Sequence, residues 1–525
     1  MSDAGSRGRA PRRLSLAFAC VALLLLGGAV RLAHLGLRSL RGDEEWFAEL
    51  VQRSSWGEVE AAMVGHVQAI PAPLFSFVEH LLTRWFGPGA LSLRLLPCLA
   101  GLVAPLLLYA FVRRQVPRAP SAALLALVSF SPFFVYWSKD AKPYTLELAL
   151  FLGQLLLFER LRARAYAWPA LLANLAFAAL VVGLSYASFF TFPLLGLLAA
   201  LDARGAERAR AWRVLGYGAA LAALLALIYF GWVRHRRNAY LDQFWLYYFA
   251  PWGRPGDLLE WHLWRAAHLP SRVLVGSYAG LLGALEILFA LAALALALLG
   301  AWSLRGVLPR RFHLVAWLPL ALCYAASTAG TFPFEDRLLL FALALPMLYL
   351  AAGLVALWCA PRGALALPVR ALLVLVALTY IAWPVRSELL RPATGIERDA
   401  LHTELVAALA EHGAAPLAWY ELATNPSQFY FDYQPKGLAE ESWISLPGWF
   451  GYPYRARHAA EVARWLAQQE QSWAVLLFSG ERGFDLERSA ILAEVERERR
   501  LVQSFEAPNA SAFLFAPRAR ASETR

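Results

Sequence analysis

The 525-residue chain is 59% hydrophobic and only 17% charged, and its mean hydropathy is +0.47. A soluble chain carries about a quarter charged residues, so this composition excludes an ordinary soluble protein. The net charge of +11 comes mainly from arginines in short loops between apolar segments, a distribution that indicates a membrane protein and argues against a nucleic-acid partner.

Apolar segments recur along the chain and predict a mainly α, polytopic membrane protein with about 11 transmembrane helices. A helix needs roughly 20 apolar residues to cross the hydrocarbon core. The predicted spans lie at 14–36, 91–112, 119–137, 143–160, 168–184, 187–202, 213–233, 277–301, 312–329, 338–359 and 368–386.

The loops between these segments predict the orientation in the membrane. Arginines precede the first span, and five alternate loops are also basic, at 113–118, 159–164, 204–213, 304–311 and 361–370. Basic loops stay in the cytoplasm, so the N-terminus is predicted to be cytoplasmic. An odd number of spans then leaves the C-terminal part outside. The arginine-rich, lysine-poor composition is typical of a GC-rich genome, which favours a bacterial inner membrane.

Two domains are predicted. Residues 1–388 form the membrane domain, whose external loop at 38–90 contains short amphipathic and apolar pieces that are expected to lie along the interface. Residues 389–525 alternate helix-like and strand-like pieces, which predicts an extracytoplasmic α/β domain with a disordered basic end.

Three polar clusters stand at predicted external ends of spans. The first is the acidic motif RGDEEWF, with Asp43, Glu44 and Glu45 directly after the first span. Helix capping alone would account for one or two of these carboxylates. Ionisable groups at the membrane edge are also functional by default, which favours a site.

The second cluster is SPFFVYWSKDAKPYTLE, between the third and fourth spans. It holds Lys139, Asp140, Lys142 and Tyr144, and the chain has only three lysines in all. A lysine is a compact charge that suits a phosphate oxygen in a tight site. The alternative is a solvated loop with local salt bridges.

The third cluster is TFPFEDRLLLF, before the tenth span, with Glu335, Asp336 and Arg337. Arg337 is predicted at headgroup depth, where it either anchors the helix or binds a lipid phosphate. The loop at 234–276 is dense in aromatic residues and indicates either an interfacial belt or part of a carbohydrate or lipid site.

These motifs, together with LSLRLLPCLAGLVAPLLLYAFVRR at 91–114, give the chain a resemblance to a known family over about residues 14–360. It resembles the membrane glycosyltransferases of the C-type fold that use polyprenyl-phosphate sugars. They include protein O-mannosyltransferases and the aminoarabinose transferase that modifies lipid A of lipopolysaccharide.

The resemblance implies a role for each matching position. Asp43 would be the general base that activates the acceptor hydroxyl, Glu44 its acidic partner, and Asp140 a second loop carboxylate at the active site. Arg337 would bind the donor phosphate, helped by Lys139 and Lys142. Family members often carry a basic residue before Pro-Pro-Leu in the first loop, but this chain reads AIPAPLFS there and has only His66 nearby. Glu45, His66, Tyr144 and Glu335 are predicted to contact substrate.

The chemistry agrees with the resemblance. A sugar linked to a lipid phosphate has a good leaving group, so one base and a few cations suffice for transfer by single displacement. No metal ligand set is predicted, although the acidic loop leaves a divalent cation as an open alternative. The acceptor is a glycan, lipid or protein. The competing interpretations are a flippase for polyprenyl-linked sugars, whose only plausible buried carboxylates are Glu147 and Glu286, and a structural or sensory protein.

Overall fold

The structure is a computed structural model and is mainly helical. It describes residues 9–390 except 38–39, 41–42, 66–70, 205, 237–244, 246–247, 254, 277–284 and 361–365. Beyond residue 390 it describes 417–420, 443–446, 474–479, 492–493, 495–497, 499–507 and 510–517.

The helices of the first half begin with α1, and the loop of the acidic motif contributes three short ones. Their bounds are α1 Arg9–Leu32, α2 Asp43–Val51, α3 Trp56–Gly65, α4 Pro73–Phe86, α5 Ala90–Val112, α6 Arg118–Phe130, α7 Pro132–Trp137, α8 Tyr144–Ala163 and α9 Trp168–Leu184. The amphipathic piece WFAELVQ at 46–52 and the apolar piece PLFSFVEHLLTRWFG at 73–87 indicated α2 and α4, whereas α3 was not predicted.

The later helices of the membrane part follow in the same order. Their bounds are α10 Ser188–Ala203, α11 Arg208–Arg236, α12 Pro255–Val275, α13 Leu285–Leu304, α14 Arg310–Thr328, α15 Leu340–Leu343, α16 Met347–Cys359 and α17 Ala366–Pro384. Helix α11 contains a π-helical turn at Tyr229–Val233, and another, Val385–Leu389, extends α17.

Every predicted span coincides wholly or partly with a helix. Among the described residues, four helices are long and apolar enough to cross a membrane: α5, α11, α13 and α17 with its extension. The segments Asp336–Leu343 and Met347–Cys359 make a fifth if this bent pair is one span. The chain is therefore a multi-pass membrane protein, and the number of eleven crossings stays a prediction.

Two predicted spans are broken at prolines. The segment 119–137 divides into α6 and α7 because Pro132 has no N–H to continue the hydrogen bonding of α6. Pro346 lies in the break between α15 and α16, where the helix axis bends by 62°. Each break separates a short helix, α7 or α15, that is adjacent in sequence to one of the polar clusters.

Helices α13 and α16 cross at very close range through two glycines. A Cβ atom on Gly353 would collide with the carbonyl oxygen of Leu296, and one on Gly300 would collide with that of Tyr349. Close approach through small residues is a common way for membrane helices to associate. The glycines therefore set the distance between these two helices.

We expect Gly353→Ala to lower the thermal stability of the purified protein. Its methyl group has no room, and overpacking costs about 1–3 kcal/mol. The matched control is Gly216→Ala on α11, where a Cβ meets nothing within 4 Å. The measurement is the unfolding temperature by tryptophan fluorescence in detergent, and an equal effect of both substitutions would contradict the prediction.

The chain divides into two compact units. Unit 1 comprises Met1–Ala33, Glu60–Glu79 and Arg94–Leu390, and unit 2 comprises His34–Val59, His80–Leu93 and Arg391–Arg525. In unit 2, the end of α2 meets α4 where the Nδ1 atom of His80 lies 2.9 Å from the carbonyl oxygen of Val51. The same imidazole lies 6.3 Å from the ring of Trp56, between centroids.

The C-terminal part contains a five-stranded sheet in the order β2-β1-β3-β5-β4. The strands are β1 Leu417–Tyr420, β2 Trp443–Leu446, β3 Ala474–Ser479, β4 Arg499–Ala507 and β5 Ala510–Pro517. Strand β1 pairs in parallel with β2 and β3, whereas β5 pairs antiparallel with β3 and β4. Strand-like pieces of the sequence, APLAWYE at 415–421, WAVLLFS at 473–479 and AFLFAP at 512–517, indicated β1, β3 and β5. The helical pieces expected between the strands and the basic end lie outside the described residues, so the α/β domain stays a prediction.

Candidate functional site

The loop between α7 and α8 carries the second polar cluster of the sequence. Helix α7 begins at Pro132, and the Ser131 hydroxyl caps it by accepting the N–H of Phe134 at 3.4 Å. The same hydroxyl donates to the carbonyl oxygen of Val273 at the end of α12. Across the loop, the rings of Trp137 and Tyr144 meet edge to face at 5.1 Å.

Within this loop, Lys139 and Asp140 are buried despite their charges. The ammonium of Lys139 forms an ion pair with Glu388, 2.5 Å away, in the π-helical extension of α17. Lys142 is half-buried, and Tyr144 is buried at the start of α8. Lys139, which the sequence predicts to bind phosphate, is therefore paired with Glu388, a carboxylate that the sequence analysis did not identify.

The third polar cluster joins the second through an aromatic ring. Asp336 accepts the backbone N–H of Arg337 at 2.7 Å, at the start of a 3₁₀ turn. The guanidinium of Arg337 lies 5.8 Å from the ring of Trp137 and 5.3 Å from that of Trp245. The structure therefore brings Arg337 beside Trp137, which directly precedes the loop that holds Lys139, Asp140 and Lys142 (the lysine loop). A shared phosphate site stays a prediction.

Helix α12 contributes a second arginine that the sequence analysis missed. Arg265 is buried, and one terminal nitrogen donates to the Glu335 carboxylate at 3.3 Å. Three rings surround its guanidinium at 4.5–5.5 Å, namely Trp264, Tyr248 and Trp261. The signal was present in the sequence as an arginine within WHLWRAAH, in the aromatic loop.

The aromatic loop is fixed against the third cluster. The carbonyl oxygen of Tyr248 accepts the N–H of Phe334 at 3.0 Å and the Ser327 hydroxyl at 3.2 Å. The rings of Trp245 and Tyr248 meet at 5.3 Å. Because Trp245 contacts Arg337 and Tyr248 contacts Arg265, these rings link the two guanidiniums. We call this group the arginine–aromatic cluster: Arg265, Arg337, Trp137, Trp245, Tyr248, Trp261 and Trp264.

A second network continues along the same face of α12. The imidazole of His268 donates from Nδ1 to the Glu286 carboxylate at 3.0 Å and accepts from Arg272 at 2.9 Å through Nε2. Ser271 donates to the same Glu286 oxygen at 2.6 Å. Arg272 also lies 3.8 Å from Asp336. The helix face 265–272 therefore meets both acidic residues of the third cluster.

Burial shifts the ionisation of several groups here. Burial, followed by repulsion from Asp336, raises the pKa of Glu335 to about 8, although Arg337 and Arg265 oppose the shift. Burial and then Arg272 lower the pKa of His268, opposed by Glu286. Burial raises the pKa of the Tyr248 phenol. At neutral pH, Glu335 thus holds a proton much of the time.

The two carboxylates that a transporter would need have local partners. Glu147 accepts hydrogen bonds from the backbone N–H groups of Tyr186 and Ala187 and from Ser185, where α10 begins. These groups lie directly before α10, so Glu147 has a structural role there as a hydrogen-bond acceptor. Glu286 accepts from His268 and Ser271, as described above.

The acidic motif lies in unit 2, at the start of α2. Glu44 is buried there. The side chains of Asp43 and Glu45, and all of His66, lie outside what the structure describes. Among the described residues, no group of three or more His, Cys, Asp or Glu side chains is placed to hold a metal ion. The roles of these residues therefore stay predictions.

Comparison with known proteins identifies a matching family and a similar fold. Residues 71–232 match the sequence model of the family described as dolichyl-phosphate-mannose-protein mannosyltransferase. Apo ArnT from Cupriavidus metallidurans superposes with a TM-score of 0.50 at 12% identity, covering 96% of this chain and 98% of ArnT. The predicted resemblance to the C-type glycosyltransferases is confirmed. At this identity, the likeness to ArnT shows the fold alone.

Two further C-type structures are similar to this chain. ArnT bound to undecaprenyl phosphate gives a TM-score of 0.48 at 12% identity, covering 95% of this chain and 97% of ArnT. The oligosaccharyltransferase of Archaeoglobus fulgidus gives 0.46 at 14% identity, covering 95% of this chain and 73% of its own length. The comparison with curated proteins gives no match. The family match and the C-type fold together support a membrane glycosyltransferase.

Proposed function

We propose that this protein transfers a sugar from a polyprenyl-phosphate donor to an acceptor hydroxyl on the extracytoplasmic side of a bacterial inner membrane. The observation that carries the proposal is the arginine–aromatic cluster. It places two guanidiniums among five aromatic rings, next to the lysine loop and to Glu335. Guanidiniums bind phosphate oxygens, and aromatic rings suit sugars and prenyl chains.

The chemistry and the matched family both support this donor class. The description of that family names a sugar carried on a lipid phosphate. An arginine pair would bind this phosphate and stabilise the charge that develops on it as the sugar leaves. Lys139 and Lys142 would complete the cation set. Nucleotide sugars are not expected outside the cytoplasm, which also favours a lipid-linked donor.

The proposed mechanism is a single displacement. Asp43 takes the proton of the acceptor hydroxyl while the oxygen attacks the anomeric carbon, and the bond from that carbon to the phosphate oxygen breaks. Glu44 and Asp140 stand as supporting carboxylates, and Glu45, His66 and Tyr144 as substrate contacts. The polyprenyl phosphate leaves as an anion, so no general acid is needed. The product has inverted configuration at the anomeric carbon.

The test is transfer of radiolabelled sugar by the purified full-length protein from a panel of polyprenyl-phosphate sugars to inner-membrane lipid, glycan and protein extracts. We expect a labelled product from at least one donor, with inverted configuration. A product of retained configuration would contradict the single displacement. A folded protein that binds polyprenyl phosphate, moves it across liposome membranes and transfers no sugar would favour the flippase alternative.

A further inference from the structure

Glu335 occupies a position in which it competes for a cation of the proposed donor site. Its carboxylate accepts a hydrogen bond from Arg265 at 3.3 Å. Asp336, the next residue in the chain, repels its charge. The positive charge of Arg337 also favours the ionised form of Glu335. An anion that binds both guanidiniums must therefore share them with Glu335 or displace it.

Arg265 has hydrogen-bonding capacity to spare. Its side chain is only 7% exposed, yet Nε and one terminal nitrogen have no acceptor among the described residues. Buried donors without acceptors cost free energy, so native structures retain them mainly where something else satisfies them. A planar guanidinium offers paired N–H groups that match a phosphate. One carboxylate at 3.3 Å leaves most of that fork for a ligand.

We propose that Glu335 is a positioning residue: in its ionised form it holds the Arg265 guanidinium until the donor phosphate takes it, and it then takes up a proton from solvent. This inference rests on the proposed function, because the donor phosphate is the anion that Arg265 receives. The proton offsets one negative charge of the incoming phosphate. When the lipid phosphate leaves, Glu335 returns the proton to solvent and pairs with Arg265 again.

The ionisable groups around Glu335 allow its titration to be isolated. The pKa of Glu335 is raised to about 8, whereas that of Tyr248 is raised above 10 and that of His268 is lowered below its ordinary 6.5. Arg265 and Arg337 also act on Glu335, and Asp336 lies 3.8 Å from Arg272. Glu335 is then the group expected to change charge between pH 7 and pH 9.

The direction of the effect follows from linkage. Below pH 8, most Glu335 side chains already carry a proton. Donor binding then takes up few protons, and its Kd is nearly independent of pH. Above pH 8, each binding event takes up one proton, so the Kd rises. We expect the Kd of the full-length protein for undecaprenyl phosphate to increase about tenfold from pH 7 to pH 9. The ligand's own second ionisation, near pH 6, is complete over this range.

The matched variants are Glu335→Gln, Glu335→Asp and, as a control outside the site, Glu159→Gln, whose carboxylate pairs with Arg162. Glu335→Gln should bind with a Kd that is flat from pH 7 to pH 9 and similar to wild type at pH 7. Glu335→Asp and Glu159→Gln should keep the pH dependence. A merely structural role for Glu335 would change the Kd without removing its slope.

A second measurement does not depend on any variant. Calorimetry of wild type in two buffers of different ionisation enthalpy should show uptake of about one proton per ligand at pH 9 and about none at pH 7. Equal slopes in wild type and Glu335→Gln, or no proton uptake at pH 9, would overturn the inference and leave donor binding intact. No binding by any variant at any pH would instead overturn the proposed donor.

Discussion

Replacing Asp43 by Asn should reduce the turnover number for sugar transfer by about 10²- to 10⁴-fold, the usual contribution of a general base. The amide is nearly isosteric with the carboxylate but cannot accept the acceptor's proton. Donor binding should change little, because the cations proposed to bind the phosphate lie in α12, at 335–337 and in the lysine loop. The measurement is kcat with the radiolabelled donor, together with the Kd for polyprenyl phosphate.

The matched control for Asp43→Asn is Asp257→Asn. Both aspartates lie at the start of a helix, Asp43 at α2 and Asp257 in the first turn of α12. The helix dipole favours a negative charge at such positions. Asp257 is exposed and has no proposed role in transfer. The control should keep kcat within twofold. Asp43→Asn retaining full turnover would move the role of base to another carboxylate, and Asp140→Asn would then be measured.

The sequence predicted the membrane part better than the site. Apolar runs of about 20 residues identify helices because the hydrocarbon core imposes a length and forbids unpaired backbone groups. It did not predict the breaks at Pro132 and Pro346, since proline is tolerated inside some of these helices, such as α5 with Pro97 and Pro105. Whether a proline breaks a helix depends on its neighbours, which hydropathy does not record.

For the candidate site, the sequence indicated the ends of the spans but not all the partners. Arg337 stood out because it flanks an apolar run, and Lys139 because the chain has only three lysines. Arg265 was missed because its helix α12 reads as an aromatic interfacial segment, and its buried position depends on Glu335, 70 residues away. Glu388 was missed because its contact with Lys139 spans 249 residues. Pairings of this range depend on how the helices pack, which one sequence does not specify.

Replacing Arg265 or Arg337 by Gln should lower kcat/KM by about 10²-fold each, because each would remove a charge that faces the departing phosphate. The two losses, expressed as activation free energies, should not be additive. Both guanidiniums act on Glu335, and both would bind the same phosphate. Arg337→Lys keeps the charge but not the planar group that lies over Trp137 and Trp245. It should recover part of the activity.

The control for loss of a cation–π contact is Arg305→Gln. Arg305 lies 3.3 Å from the ring centroid of Trp302, a closer contact than either site arginine makes, but it is exposed at the end of α13. Its replacement should leave kcat/KM within twofold. If Arg305→Gln were as damaging as Arg265→Gln, the loss would report fold stability and not phosphate binding. Fully additive losses in the Arg265→Gln, Arg337→Gln double variant would mean that the two arginines bind separate groups, and the shared phosphate site would then be wrong.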